Sequence, residues 1–240
     1  MESDAQFYKR RHQDGGINIG GITPLDDFER HMFTPGTRYH LVAESLARVT
    51  PNRGHLVEIG CGGGEGLLVL ARKYPFTRIT GIDVATLSEG RHGASGIELL
   101  ASNLNDDWPF TDGDVDYLIA MMVLEHLFDP FHSFREIKRV LSKTGEAYVN
   151  IPLVTAWRNR ARLLFGGLPI TSSPYQHWFE RKEWDGNHLH YFSLRAIHDL
   201  AKSCELRVSD VRGVGKLATW KTLWPSLLAS EVTFRLRHEN

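Results

Sequence analysis

Between residues 55 and 151 short apolar runs alternate with helix-like segments, and this rhythm constrains the fold more than any other feature of the chain. Residues 55–59, 78–82, 97–101, 115–120 and 147–151 read as strands, with helices expected at 65–73 and 131–141. The run from Val115 to Ala120 is apolar enough to be buried on both faces, as parallel strands between helical layers are. Strands alternating with helices predict an α/β chain with a parallel sheet covered by helices. Ser193 is placed to cap a further helix ending near Ser203, and strands are expected near 206–211 and 232–236. That makes a seven-stranded, mostly parallel sheet with an insertion after the fifth strand.

The sheet unit is expected over 34–240, with an arm of little regular structure at 1–33. Thr34-Pro35 reads as the start of a helix running to about Val49, with Tyr39, Val42, Leu46 and Val49 on its buried face. Residues 152–192 form the insertion, which is too long for an ordinary strand-to-helix connection. Its aromatics, Trp157, Phe165, Tyr175, Trp178, Phe179 and Trp184, are expected to close a pocket as a lid. The mixed Lys, Trp and Leu tail at 216–228 reads as a helix buried on the core, with a helix lying on a membrane surface as the alternative.

Composition narrows the class. The chain has 240 residues, 42% hydrophobic and 24% charged, with a formal net charge of -1. That length buries one sizeable core, and the balance lacks the basic footprint of a general nucleic-acid binder. Cys61 and Cys204 are far apart and show no metal-ligand spacing. We expect a reduced, cytoplasmic protein with no transmembrane segment. A homodimer and weak peripheral membrane contact are compatible with the sequence.

The strongest motif is Val57-Glu58-Ile59-Gly60-Cys61-Gly62-Gly63-Gly64-Glu65-Gly66, between a strand and a helix. Glycines belong where the chain turns sharply and a ligand approaches the backbone. Asp83, ending the next strand, is placed to accept hydrogen bonds from a ribose diol. A G-x-G-x-x-G dinucleotide pattern fails here: counted from Gly60 the third position is Glu65, and counted from Gly62 it is Leu67. A nicotinamide-dependent oxidoreductase is therefore disfavoured.

Glu58-x-Gly60-Cys61-Gly62-x-Gly64 resembles the first motif of the class I SAM-dependent methyltransferases, of the type 11/23 kind, and the resemblance runs from about Leu56 to Pro152. It implies a Rossmann-like class I methyltransferase fold, S-adenosyl-L-methionine as cofactor and S-adenosylhomocysteine as product. The cofactor contacts it implies are Glu58, Gly60, Cys61, Gly62, Gly64, Asp83, Val84, Asn103, Leu104 and Met121. Asn103 stands where the family usually has an Asp facing the adenine. Met122-Val-Leu-Glu-His-Leu127 resembles the family's segment after the fourth strand.

Beyond Ile151 two weaker resemblances meet. Residues 151–170 resemble MetW-type proteins, and residues 185–193 resemble methyltransferases of surface-polysaccharide and small-metabolite pathways. The first keeps open a non-catalytic, SAM-binding partner protein as the alternative to a methyltransferase acting on a small molecule, sugar- or lipid-linked.

Methyl transfer needs alignment of donor and acceptor, plus a general base when the acceptor carries a proton. His126 follows the fourth strand at the carboxyl edge, where ligands bind in such sheets. His188 and His190 share a face if their stretch is extended. These three are the candidate catalytic residues. No metal is expected, because no third ligand beside His188 and His190 stands out by spacing. Arg158, Arg160 and Arg162 are either anion contacts or the solvated face of a short helix.

Overall fold

The computed structural model describes residues 29–30, 32–48, 53–84, 96–172 and 188–239. Its strands are β1 (Arg53–Ile59), β2 (Phe76–Asp83), β3 (Ile97–Ala101), β4 (Val115–Met121), β5 (Leu141–Pro152), β6 (Leu206–Gly213) and β7 (Glu231–His238). They form one sheet in the order β3-β2-β1-β4-β5-β7-β6. The first five strands pair in parallel, and β7 enters antiparallel between β5 and β6. The expected seven-stranded, mostly parallel sheet is thus the observed one.

Period-two alternation splits the core between the two faces of the sheet. Val57, Leu118 and Ala120 pack with Phe134 and Ile137 on one side. Their neighbours Leu56 and Ile119 pack with Val42, Leu46, Leu67 and Leu70 on the other. The helices are α1 (His40–Ala47), α2 (Glu65–Lys73), α3 (Pro130–Val140), α4 (Trp157–Leu164), α5 (Leu194–Ser203), α6 (Ala218–Leu223) and α7 (Pro225–Leu228). Capping fixes two of the starts. Asp129 accepts from the Phe131 amide ahead of Pro130, and Ser193 accepts from the Ala196 amide.

Three local expectations are corrected. Helix α1 starts at His40, not at Thr34, because the chain first turns through Gly36 at φ 84°. A Cβ at Gly36 would lie 2.9 Å from Gly215 O, the residue whose amide donates to the Gly36 carbonyl. Residues 1–28 and Val49 lie outside the described residues, but Glu29, Arg30, Met32 and Phe33 are helical, and Met32 is buried in the core. The tail is not a buried helix. It forms α6 and α7 against edge strand β6, held by the Gly213 amide on Thr222 Oγ1, and leaves Trp220, Leu223 and Trp224 exposed.

The insertion is tied down at both ends. Leu153 bridges Phe192, and the Val154 amide donates to the Phe192 carbonyl. Within it the basic stretch forms α4, where Trp157 and Phe165 are 53% and 84% exposed, so these two do not close a pocket. Tyr175, Trp178, Phe179 and Trp184 lie outside the described residues.

Candidate functional site

Strand β1 pairs with β2 on one side and β4 on the other, so strand order reverses there, and the region beyond the carboxyl ends is where sheets of this kind bind ligands. The glycine loop leaves β1 into it. Gly60, Gly62 and Gly64 have φ of 66°, 55° and 80°, the left-handed region that favours glycine. The Gly60 amide donates to the Ile82 carbonyl at 2.7 Å, and the Gly62 amide donates to Asp83 Oδ2 at 2.9 Å. Loop and acid therefore meet, as their spacing predicts. A Cβ at Gly60 would strike Val123 Cγ2 at 2.3 Å, whereas one at Gly62 would meet nothing within 4 Å. The backbone at Gly62 thus faces open space.

Glu58 lies beneath the loop, 2% exposed. Tyr39 donates its hydroxyl to Glu58 Oε1, while Oε2 is buried with no hydrogen-bond partner among the described residues. Burial pushes the Glu58 carboxyl up to about 8, against the opposing pull of the Tyr39 hydrogen bond. A carboxyl whose folded value exceeds its unfolded one stabilises the fold fully below the unfolded value, and that contribution is lost as pH rises through the folded value. The thermal midpoint of ligand-free protein is therefore expected to fall, relative to that of Glu58→Gln, from about pH 4.5 to about 8. Parallel midpoint curves for the two proteins would exclude a buried, protonated Glu58.

The remaining expected cofactor contacts line the same edge. Cys61 is a buried free thiol whose pKa burial raises. Val84 and Met121 are half-buried at the ends of β2 and β4. Leu104 lies in the core with its carbonyl already accepting from Trp108 Nε1. Asn103 Oδ1 accepts from the Asn105 amide and side chain at 3.1 and 3.0 Å. In turn Asn105 Oδ1 accepts from the Phe128 amide at 2.8 Å.

After β4, Met122 has φ 58°, a strained setting for a side chain that size, and its amide donates to the Asn150 carbonyl. A short helical turn, Leu124–His126, follows. His126 and His188 meet edge to face, ring centroids 4.9 Å apart. His188 is held at Nδ1 by the Thr171 hydroxyl at 2.7 Å. His190 departs from the expectation of a shared face, its Nε2 lying 3.1 Å from the Phe128 carbonyl. Alternation needs an extended chain, and here the chain bends at Leu189, with the Leu189 and His190 amides both donating to the Glu125 carbonyl. Two of the arginines serve the insertion's own backbone, Arg160 binding the Thr155 carbonyl and Arg162 the Leu168 carbonyl, while the Arg158 guanidinium lies 5.7 Å from the Trp157 ring centroid.

Sequence reasoning missed Glu125, Tyr39, Arg38, Thr171 and Asn150. Glu125 was legible as an acid inside an otherwise apolar stretch. It is fully buried, and burial pushes its carboxyl up to about 8 while Arg38 nearby opposes the rise. Arg38 itself is engaged in a two-pronged pair with Glu231 at 2.6 and 3.2 Å. Asn150 donates to the Val232 carbonyl and Thr233 Oγ1, and its Oδ1 is buried without a partner among the described residues.

The sheet order and the loop–acid junction define a Rossmann-like domain whose glycine loop lies at its switch point. A family model described as a methyltransferase domain matches residues 28–211, and the chain belongs to that enzyme family. A Mycobacterium tuberculosis protein named a probable S-adenosylmethionine-dependent methyltransferase is 29% identical over 126 residues, 52% of this chain and 44% of that protein. The trans-aconitate 2-methyltransferase of Escherichia fergusonii is 28% identical over 130 residues, 50% of this chain and 51% of the relative. The matches thus span about half the length of these curated relatives. An S-adenosylmethionine-dependent methyltransferase structure from Mesorhizobium loti aligns with a TM-score of 0.56 at 14% identity, over 84% of this chain and 97% of that one, a likeness of fold. No helix of the described residues is long and apolar enough to cross a membrane.

Proposed function

We propose that the chain binds S-adenosyl-L-methionine in the glycine-loop crevice and methylates a small molecule held at the Glu125–His126–His188 edge. The observation that carries the reading is the Gly62 amide on Asp83 beside open space at the Gly62 Cβ position. The residues fit such a guest: Asp83 for the ribose hydroxyls, loop amides for close backbone approach, and the unpartnered Glu58 Oε2 for a donor group. Asn103 and Met121 border the same edge, with Val84 and Leu104. Bound there, the cofactor supplies an electrophilic sulfonium methyl group.

The chain's part is to align the acceptor and receive its proton. His126 and His188 are the groups at hand for the proton, and His190 positions the Phe128 backbone. A sugar- or lipid-linked acceptor suits the exposed Leu163, Leu164 and Phe165 at the end of α4, in the insertion that leaves the sheet beside the crevice. Isothermal titration with S-adenosyl-L-methionine and S-adenosylhomocysteine, paired with a homocysteine-release assay over hydroxylated and carboxylated acceptors, tests both halves. His190→Ala and Arg158/Arg160→Ala are expected to keep cofactor affinity within a few fold while KM for the acceptor rises. Loss of cofactor binding before loss of activity would remove the insertion from the acceptor side. Tight cofactor binding with no turnover on any acceptor would favour a non-catalytic partner protein.

A further inference from the structure

The side chains of Glu125, His126 and His188 each turn a ligand atom inward, and these atoms lie within 4.8 Å of one another. Among the described residues they are the one group of three arranged to hold a metal ion. From this juxtaposition we infer that the protein binds a divalent transition ion of the zinc type between the Glu125 carboxylate and the two imidazoles.

Three observations carry the inference. Both Glu125 oxygens are buried with no hydrogen-bond partner among the described residues, and the side chain is 0% exposed. A buried carboxylate in that state is costly unless a proton or a cation joins it, and the two imidazoles beside it suit a cation. Secondly, the His188 Nδ1 contact with Thr171 leaves Nε2 turned toward Glu125, 4.0 Å from Oε1. An outer hydrogen bond that fixes one ring nitrogen while the other faces the ion is the usual support of a histidine ligand. Thirdly, the neighbouring guanidinium of Arg38 is directed to Glu231, so the carboxylate's own charge is not matched by a direct pair with it.

Zinc bonds of about 2.0–2.1 Å put tetrahedral donors roughly 3.3 Å apart. The side chains must therefore close by up to about 1.5 Å, which small torsional adjustments supply. Two imidazoles and one carboxylate favour zinc, iron, cobalt or nickel over magnesium or calcium. Three protein ligands leave a position open, and the open position lies at the proposed acceptor edge. It would take an oxygen donor of the acceptor, a hydroxyl or carboxylate. With the ion present the two histidines are ligands rather than proton acceptors, and the ion itself lowers the pKa of a bound hydroxyl. The inference deepens the acceptor half of the proposed function, but metal binding itself does not rest on that reading.

The test uses the full chain, stripped with a chelator and dialysed. Zn2+ affinity is measured by competition with a chromogenic chelator, and Co2+ uptake by visible absorption. The wild type is expected to take up one equivalent of Co2+ with ligand-field bands. His126→Ala, His188→Ala and Glu125→Gln are each expected to weaken Zn2+ by more than about 100-fold, beyond the roughly 10- to 100-fold range for losing an outer partner. Thr171→Val should fall within that smaller range, and it carries the test if a ligand variant fails to fold. A wild type without a bound equivalent overturns the site, as do variants that bind as the wild type does. S-adenosyl-L-methionine titrations on the same samples separate the two readings. Metal uptake without cofactor binding sinks the methyltransferase proposal alone, and cofactor binding without metal uptake sinks the metal site alone.

Discussion

Gly62→Val is expected to abolish S-adenosyl-L-methionine binding in a protein that still folds. The new Cβ would meet no protein atom within 4 Å, so the space it enters is the space proposed for the ligand. A side chain at φ 55° costs about 1–2 kcal/mol, and more when β-branched. A domain stable by roughly 5–15 kcal/mol can absorb that. Gly60→Ala supplies the contrast, because its Cβ would strike Val123 at 2.3 Å and force β1 and the segment after β4 apart. That variant should lose thermal stability first, and ligand binding only as a consequence. Calorimetric titration beside thermal unfolding reads both. A folded Gly62→Val protein with wild-type affinity would show that the cofactor does not lie over this loop.

The second large effect is expected at Asp83. If Asp83 holds the ribose as proposed, removing its carboxylate forfeits charged hydrogen bonds worth about 1.5–3 kcal/mol, or roughly 10- to 150-fold in Kd. S-adenosyl-L-methionine and S-adenosylhomocysteine should weaken alike, since they share the ribose. Asp83→Ala also releases the Gly62 amide, whereas Asp83→Asn keeps an oxygen to accept from it. Asp83→Asn should therefore retain part of the affinity that Asp83→Ala loses. Equal affinity of wild type and Asp83→Ala would take the acid out of the site.

Much of this arrangement was legible because its causes are local. Helix α2 spans the predicted 65–73, and Ser193 caps α5 as its residue type suggests, each determined by residues within a turn. The loop and Asp83 were legible for a related reason: consecutive parallel strands in register bring their carboxyl ends together. Strand β5 is longer than its apolar part, because its first residues, Leu141 to Gly145, include polar Lys143 and Thr144 at the opposite end of the sheet. The tail misled because a Lys, Trp and Leu mixture does not state which side faces the core. Contacts between segments that no strand register aligns were not legible. Nothing local pairs Tyr39 with Glu58, or brings His188 to Glu125, since the first pair joins the start of α1 to strand β1 and the second joins the turn after β4 to the far end of the insertion.

The asparagines after β3 carry a further consequence. Asn103, at the proposed adenine side, is joined through Asn105 to the Phe128 amide, and the Phe128 carbonyl lies 3.1 Å from His190 on the acceptor side. Two ligands bordering one such relay are thermodynamically linked to whatever extent it yields. If occupancy of the first tightens the second by some factor, the second must tighten the first by that same factor. Asn105→Ala, which removes the link between Asn103 and the Phe128 amide, is then the change expected to weaken that coupling.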